Sequence, residues 1–322
     1  DHEGRNLTVS IAWPGRTVKI RIWQAMVGKV RLFLLDTDFD DNTPEDRTIT
    51  HYLYGGDIEN RLRKELILGI GGIRALTAMG LKPDLYHSNE GHSAFISLER
   101  LRTMIEEFHL TFNQALEAVR ASTLFTTHTP VPAGHDAFDE DLLRKYISHY
   151  HSRLNITWDE LMALGRCEGE LEKKFNMSYL ATRMSQEVNG VSKLHGEVSQ
   201  GMFNKLWPGY LQEELFIGYV TNGVHHPTWT APEWKELYAR ITGSENFDQT
   251  DRELWEKLYT VDDKIIYSIK KTLKKRLFAN IRKRLQSDMI DRHVSPRTLM
   301  SISTHLDEKA LTIGFARRFA TY

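Results

Sequence analysis

Leu7 to Trp13 alternates Leu7, Val9, Ile11 and Trp13 with Thr8, Ser10 and Ala12, the period of a half-buried strand. Pro14-Gly15 marks a turn, and Val18, Ile20 and Ile22 alternate with Lys19 and Arg21 on the return. Val30 to Leu35 reads as a third, more buried strand, so the chain opens with an antiparallel β-meander. After a polar loop, Leu62, Leu66, Ile70, Ile73 and Leu76 form one stripe of a helix predicted from Ile58 to Met79. Asp57 is its candidate N-cap and Gly80 its candidate C′ residue. Gly69, Gly71 and Gly72 inside that helix point to a close backbone approach or a break.

From Gly80 the pattern alternates between helix and strand. Asp84 to His87 reads as a short buried strand, followed by the loop Ser88 to Gly91 and a helix from about His92 to Glu106. Thr111 to Gln114 has capping-box spacing and opens another helix. A second strand, Thr123 to Thr127, leads into the proline-bearing loop His128 to Asp136. Strands separated by helices imply a parallel α/β sheet, and such sheets bind ligands beyond the carboxyl ends of their strands. The rest is largely helical to Arg276, with a short strand at Phe216 to Val220. A basic amphipathic helix runs from Ile265 to Leu285. Ser301 to Asp307 reads as a linker and Leu311 to Ala316 as a new core strand.

Lys and Arg total 42 against 43 Asp and Glu, a net charge of −1, which argues against nucleic acid as a partner. The basic helix reads as a solvated face. No apolar run approaches the ~20 residues of a membrane span, and the start of the chain lacks the pattern of a secretory signal. The single Cys167 fits a reducing, cytoplasmic home. A start at Asp1 without Met, and an end just after a strand, suggest a trimmed or fragmentary chain.

The candidate chemistry lies in the two loops that follow the first strands of the sheet. Asn89, Glu90 and His92 place an amide, a carboxylate and an imidazole within four residues, suited to a polyhydroxylated ligand or a proton shuttle. The alternative is simple helix capping. Pro130 and Pro132 hold the chain extended after His128, giving that loop a rigid course. His135-Asp136 reads as an orienting pair or a surface turn, with the surface turn favoured. No metal is expected: there is no His-Glu-x-x-His helix and no paired Cys, and the spacing of His87 to His92 fits no helical face. No Gly-x-Ser-x-Gly nucleophile elbow is present. Arg317 and Arg318, after the last strand, suit phosphate or carboxylate capture.

Seven segments together resemble the α-glucan (glycogen, starch or maltodextrin) phosphorylases, most closely the short bacterial and archaeal type. They are Leu53 to Asp57 (LYGGD), Leu68 to Gly72 (LGIGG), His87 to Phe95 (HSNEGHSAF) and Phe125 to His135 (FTTHTPVPAGH). Asn189 to Val198 (NGVSKLHGEV), Val220 to Trp229 (VTNGVHHPTW) and Ile313 to Tyr322 (IGFARRFATY) complete the set, in the family's order.

The resemblance implies a partial GT-B fold: residues 1–305 as most of an N-terminal Rossmann-like domain with the meander at its start, and 306–322 as the first strand of a second. It implies phosphorolysis of terminal α-1,4-glucosidic bonds with retention, giving α-glucose 1-phosphate. Glucan and inorganic phosphate are then the partners, and a homodimer is allowed. Pyridoxal 5′-phosphate is the implied cofactor, its Schiff-base lysine lying outside this chain, so that the chain alone is expected to be inactive. His128 matches the histidine whose carbonyl faces the sugar near the anomeric centre. Glu90 and His92 match positions lining the glucosyl cleft, with Asn89 beside them, and Asp57 the acidic position of the gating loop. Arg318 matches the phosphate-binding arginine, and Arg317 a basic position near the cofactor. The residues leave open a non-catalytic glucan-binding module and another GT-B nucleotide-sugar transferase.

Overall fold

The computed structural model describes residues 6–53, 55–169, 173–244, 248–304 and 306–316. The chain divides into two compact units, 1–222 and 223–321.

In the first unit, strands β1 (Thr8–Trp13), β2 (Arg16–Val27) and β3 (Val30–Asp36) form the expected antiparallel meander. Ile11, Trp13, Val18 and Ile20 bury one face against Leu62, Leu66 and Ile70 of the following helical segment. Contrary to expectation, β3 is the least buried of the three, with Val30, Leu32 and Leu34 exposed. It is an edge strand whose partners in β2 are Val27, Ala25 and Trp23, the half of the hairpin that lies away from the core residues Val18 and Ile20.

The predicted long helix is present but interrupted. Helix Ile58–Leu66 passes through a π-turn at Ile67–Gly71 into helix Gly72–Ala78. Asp57 caps it by accepting from the Asn60 N–H at 2.8 Å, and Gly80 follows it with φ +69°. The cause of the break is legible at Gly69, where a Cβ would sit 2.6 Å from Phe95 Cβ and 2.9 Å from the Ile96 nitrogen. The π-turn lets the backbone meet the next helix directly.

Four strands then build the parallel sheet, in the order β4 (Tyr86–Asn89), β5 (Thr123–Thr126), β8 (Glu187–Gly190), β9 (Ile217–Tyr219). The β4 strand starts two residues later than predicted, leaving Leu85 exposed. The helix expected from His92 begins as a 3₁₀ turn, Gly91–Ser93, and becomes α-helical over Ile96–Phe108. Helix Phe112–Ala121 opens with the anticipated capping box between Thr111 and Gln114. A two-stranded pair, β6 (Ala137–Phe138) with β7 (Phe175–Asn176), closes the loop that follows β5. Phe95, Phe125, Phe138 and Phe175 lie in one continuous core.

The second unit is helical, with helix Pro232–Thr242 and the long helix Asp263–Asp291 as its main members. Tyr238 and Trp255 meet edge to face at 5.3 Å, and Arg276 pairs with Glu233 at 2.8 Å. Of the long helix only Phe278 is fully buried, so its predicted apolar side is only partly used. The expected linker begins inside a helix, Pro296–Thr304. Leu311 to Ala316 forms no strand, and Leu311, Ile313 and Phe315 are exposed: a lone strand has no partner for its backbone groups. Arg317 and Arg318 lie outside the described residues.

Candidate functional site

The carboxyl ends of β4 and β5 lie side by side, with Asn89 opposite Thr126 in the register. The next residues on each strand therefore emerge together. Glu90 donates its N–H to the Thr126 carbonyl at 2.9 Å. Its side chain turns the other way: the carboxylate accepts the His128 N–H, and the Thr129 hydroxyl at 3.0 Å. His128 Nε2 meets Asn89 Oδ1 at 2.6 Å. An amide oxygen only accepts, so Nε2 carries the ring proton and Nδ1 is left as the acceptor. Among the described residues nothing donates to the His128 carbonyl.

Glu90 is held at φ +72°, ψ 165°, a region almost reserved for glycine. Such a conformation costs roughly 1–3 kcal/mol and persists only where the surroundings enforce it. Here the enforcing contacts are on both sides. The neighbouring strand β5 fixes its N–H, and Gly91 behind it presses so close that a Cβ would meet Ser178 Oγ at 2.8 Å. The same strain lets the Glu90 carboxylate reach across to the neighbouring loop instead of capping its own helix. Glu90 makes no helix-capping hydrogen bond.

His92 lies next to this pair. Burial, then the Arg61 charge, pushes its imidazole below the ordinary histidine value, while Glu90 and Asp136 oppose the shift. The shift favours the neutral ring. Behind it, Arg61 clamps Asp136 with Nη2 at 2.7 Å and Nε at 3.3 Å. His135 Nδ1 meets Ser178 Oγ at 2.7 Å, and burial lowers its pKa too. The reading of His135-Asp136 as a surface turn is therefore corrected: both side chains are anchored, one to helix Ile58–Leu66 and one to helix Met177–Arg183. Deeper in the sheet, Thr126 donates to Asn189 Oδ1 at 2.9 Å, so His87 Nε2, 2.7 Å from the same hydroxyl, must be the donor to it.

The structure thus brings together Asn89, Glu90, His92 and His128. Asp57 is elsewhere in its bonding: exposed, its carboxylate is spent on the Asn60 N–H, four residues before Arg61. Sequence reasoning passed over Arg61 and Glu65, and it favoured a surface turn for Asp136. The signal was there in Glu65, a carboxylate in the stripe between Leu62 and Leu66. Among the described residues no three His, Cys, Asp or Glu side chains are grouped as metal ligands, and no helix is long and apolar enough to cross a membrane.

An imidazole, an amide and a carboxylate converge beyond the strand ends of a parallel sheet, where α/β proteins bind their ligands. A family model described as carbohydrate phosphorylase matches residues 82–304, and the chain belongs to that family. It is 41% identical to a glycogen phosphorylase of Mycobacterium tuberculosis over its whole length, covering 38% of that relative. To a maltodextrin phosphorylase of Thermococcus litoralis it is 41% identical, over 99% of this chain and 37% of the relative. A glycogen phosphorylase of Aquifex aeolicus is 32% identical, with 46% of its length covered. The chain spans less than half the length of these relatives.

Proposed function

We propose that the Asn89, Glu90, His92 and His128 cluster is the sugar-facing wall of an α-glucan phosphorylase. The reaction passes a terminal α-1,4-linked glucosyl unit of glycogen or maltodextrin to inorganic phosphate with retention, releasing α-glucose 1-phosphate. The observation that carries this reading is the pinned His128 peptide: its N–H is held by a carboxylate, its ring by an amide, and its carbonyl is left to the ligand. A fixed carbonyl dipole favours the positive charge that develops at an anomeric carbon, and it needs no reorganisation as the bond breaks. The ring's remaining acceptor, Nδ1, suits a sugar hydroxymethyl group. Neutral His92 offers a hydrogen bond without adding charge beside the developing cation.

Asp57 is assigned to the gating segment before helix Ile58–Leu66, and Arg318, with Arg317, to phosphate and cofactor contacts. In the same reading the sheet is part of a GT-B fold, with 1–305 in its first domain and 306–322 opening the second. The alternating exposed Leu311, Ile313 and Phe315 suit a strand that finds its partners there. In this reading the enzyme is cytoplasmic, and a homodimer of the full-length protein is allowed. Pyridoxal phosphate calls for a desolvated lysine, and among the described residues no lysine is buried. The described residues do not supply its anchor.

The test is phosphorus NMR of the whole protein with maltodextrin and inorganic phosphate. The α anomer of glucose 1-phosphate is expected from the wild type. Glu90→Ala should cut the rate at least about tenfold, one lost charge-assisted hydrogen bond in transition-state terms. Absence of the sugar phosphate, or an undiminished Glu90→Ala rate, overturns the proposal.

A further inference from the structure

Two buried carboxylates in the first unit have opposite surroundings. Glu99 is fully buried and receives Arg74 Nε at 2.8 Å and Arg102 Nη2 at 2.9 Å, together with the Tyr150 hydroxyl. Two guanidiniums and a phenol keep it ionised, and its pKa lies below the ordinary value against the pull of burial. Glu65 is 2% exposed and has one guanidinium in reach, Arg61, whose Nε lies 2.9 Å from its Oε1. That guanidinium is already committed to Asp136 through two hydrogen bonds, and neither Glu65 oxygen has a well-aligned donor. Two carboxyls therefore share one positive charge. An unpaired buried carboxylate is costly enough that the group takes up a proton instead.

We propose that Glu65 is a neutral carboxylic acid that donates its proton to Asp136, and that it is a positioning residue for the His128 loop. The proton satisfies both partners: Glu65 gains a bond for its hydroxyl, and Asp136 keeps its charge for Arg61. Because Asp136 terminates the loop that begins at His128, and the Arg61 charge acts on His92, the neutral acid influences both imidazoles from behind. The groups facing Glu65 are Arg61 on its own helix and Asp136 on the loop. Beyond them His92 senses Arg61, Glu90, Asp136 and His128. Burial, then the Asp136 charge, drives the Glu65 pKa well above the ordinary carboxylate range, in keeping with the contacts. At alkaline pH, ionisation of Glu65 sets two like charges against each other and releases the loop.

The activity arm rests on the phosphorylase reading, and the titration arm does not. Carbon-13 NMR of the side-chain carboxyls should find Glu65 still protonated at pH 7. Asp136→Asn, which removes the competing charge and leaves Arg61 to Glu65, should return it toward ordinary titration. Titration of wild-type Glu65 alongside the surface glutamates overturns the proposal. In phosphorolysis, Glu65→Gln keeps a neutral donor of the same shape and should hold kcat/KM within about twofold, whereas Glu65→Ala should lose at least about tenfold. The wild type should lose kcat/KM on the alkaline side, and Glu65→Gln should carry it through that range. Superimposable pH profiles overturn the positioning role. Should the whole protein show no phosphorolysis at all, the proposed activity falls while the carbon-13 titration still decides the protonation.

Discussion

Asn89 and His128, 39 residues apart, meet at 2.6 Å because two parallel strands end level with each other. That one contact fixes the tautomer of the histidine, and with it the direction in which its ring can accept a hydrogen bond. Asn89→Asp keeps the shape and places a charge against the ring. The histidine should then hold a second proton to higher pH, and proton NMR of the His128 ring should show its titration moved upward from wild type. An unchanged titration would mean that the contact is absent in solution.

Glu90 offers a test of strain separate from catalysis. Glu90→Ala and Glu90→Gly both remove the carboxylate, but only glycine is at ease at φ +72°. The glycine variant should be the more stable of the two by about 1–2 kcal/mol, the reverse of the ordinary preference. Urea unfolding of the pair measures the difference directly.

The π-turn provides a second contrast. A Cβ at Gly69 would collide with Phe95 and the Ile96 backbone, and Gly69→Ala should cost about 1–3 kcal/mol. At Gly72, the first residue of the resumed helix, a Cβ meets nothing, and Gly72→Ala should add up to about 1 kcal/mol. Equal effects at the two positions would deny the close approach.

Acid should weaken the first unit through two carboxylates. Glu59, bonded by Lys145 and then Tyr146, has its pKa lowered to about 2, as has Glu140 beside Arg166, Arg144 and Trp158. Groups depressed in the folded state contribute stability above the unfolded value of 4.5 and lose it as pH falls toward about 2. The wild-type advantage over Glu59→Gln and Glu140→Gln should therefore shrink through that window. A constant advantage from neutral to acid pH would contradict the assignment.

What was legible in the sequence was local. Thr111 and Gln114 announce a capping box because both partners sit within one turn, and the strand–helix alternation after Gly80 announces a parallel sheet. The Asn89 and Glu90 loop and the His128 loop could be placed at strand ends, but their mutual hydrogen bonds depend on register, which no local pattern records. Arg61 and Asp136 lie 75 residues apart, so no local pattern marks the clamp they form. β3 misled for a different reason. Its apolar run has the composition of a core strand, yet it pairs with the half of β2 that lies beyond the buried hydrophobics. Leu311 to Ala316 shares that composition, and it forms no strand and is exposed.

The central claim is that Asn89, Glu90, His92 and His128 face a glucan. Histidine-resolved NMR during a titration of the whole protein with maltoheptaose tests it most directly. The ring signals of His92 and His128 should move together and saturate, while His51, on the meander side, and His225, in the second unit, stay in place. If maltoheptaose moved His51 or His225 and left His92 and His128 unmoved, the sugar-facing wall would have to be sought elsewhere.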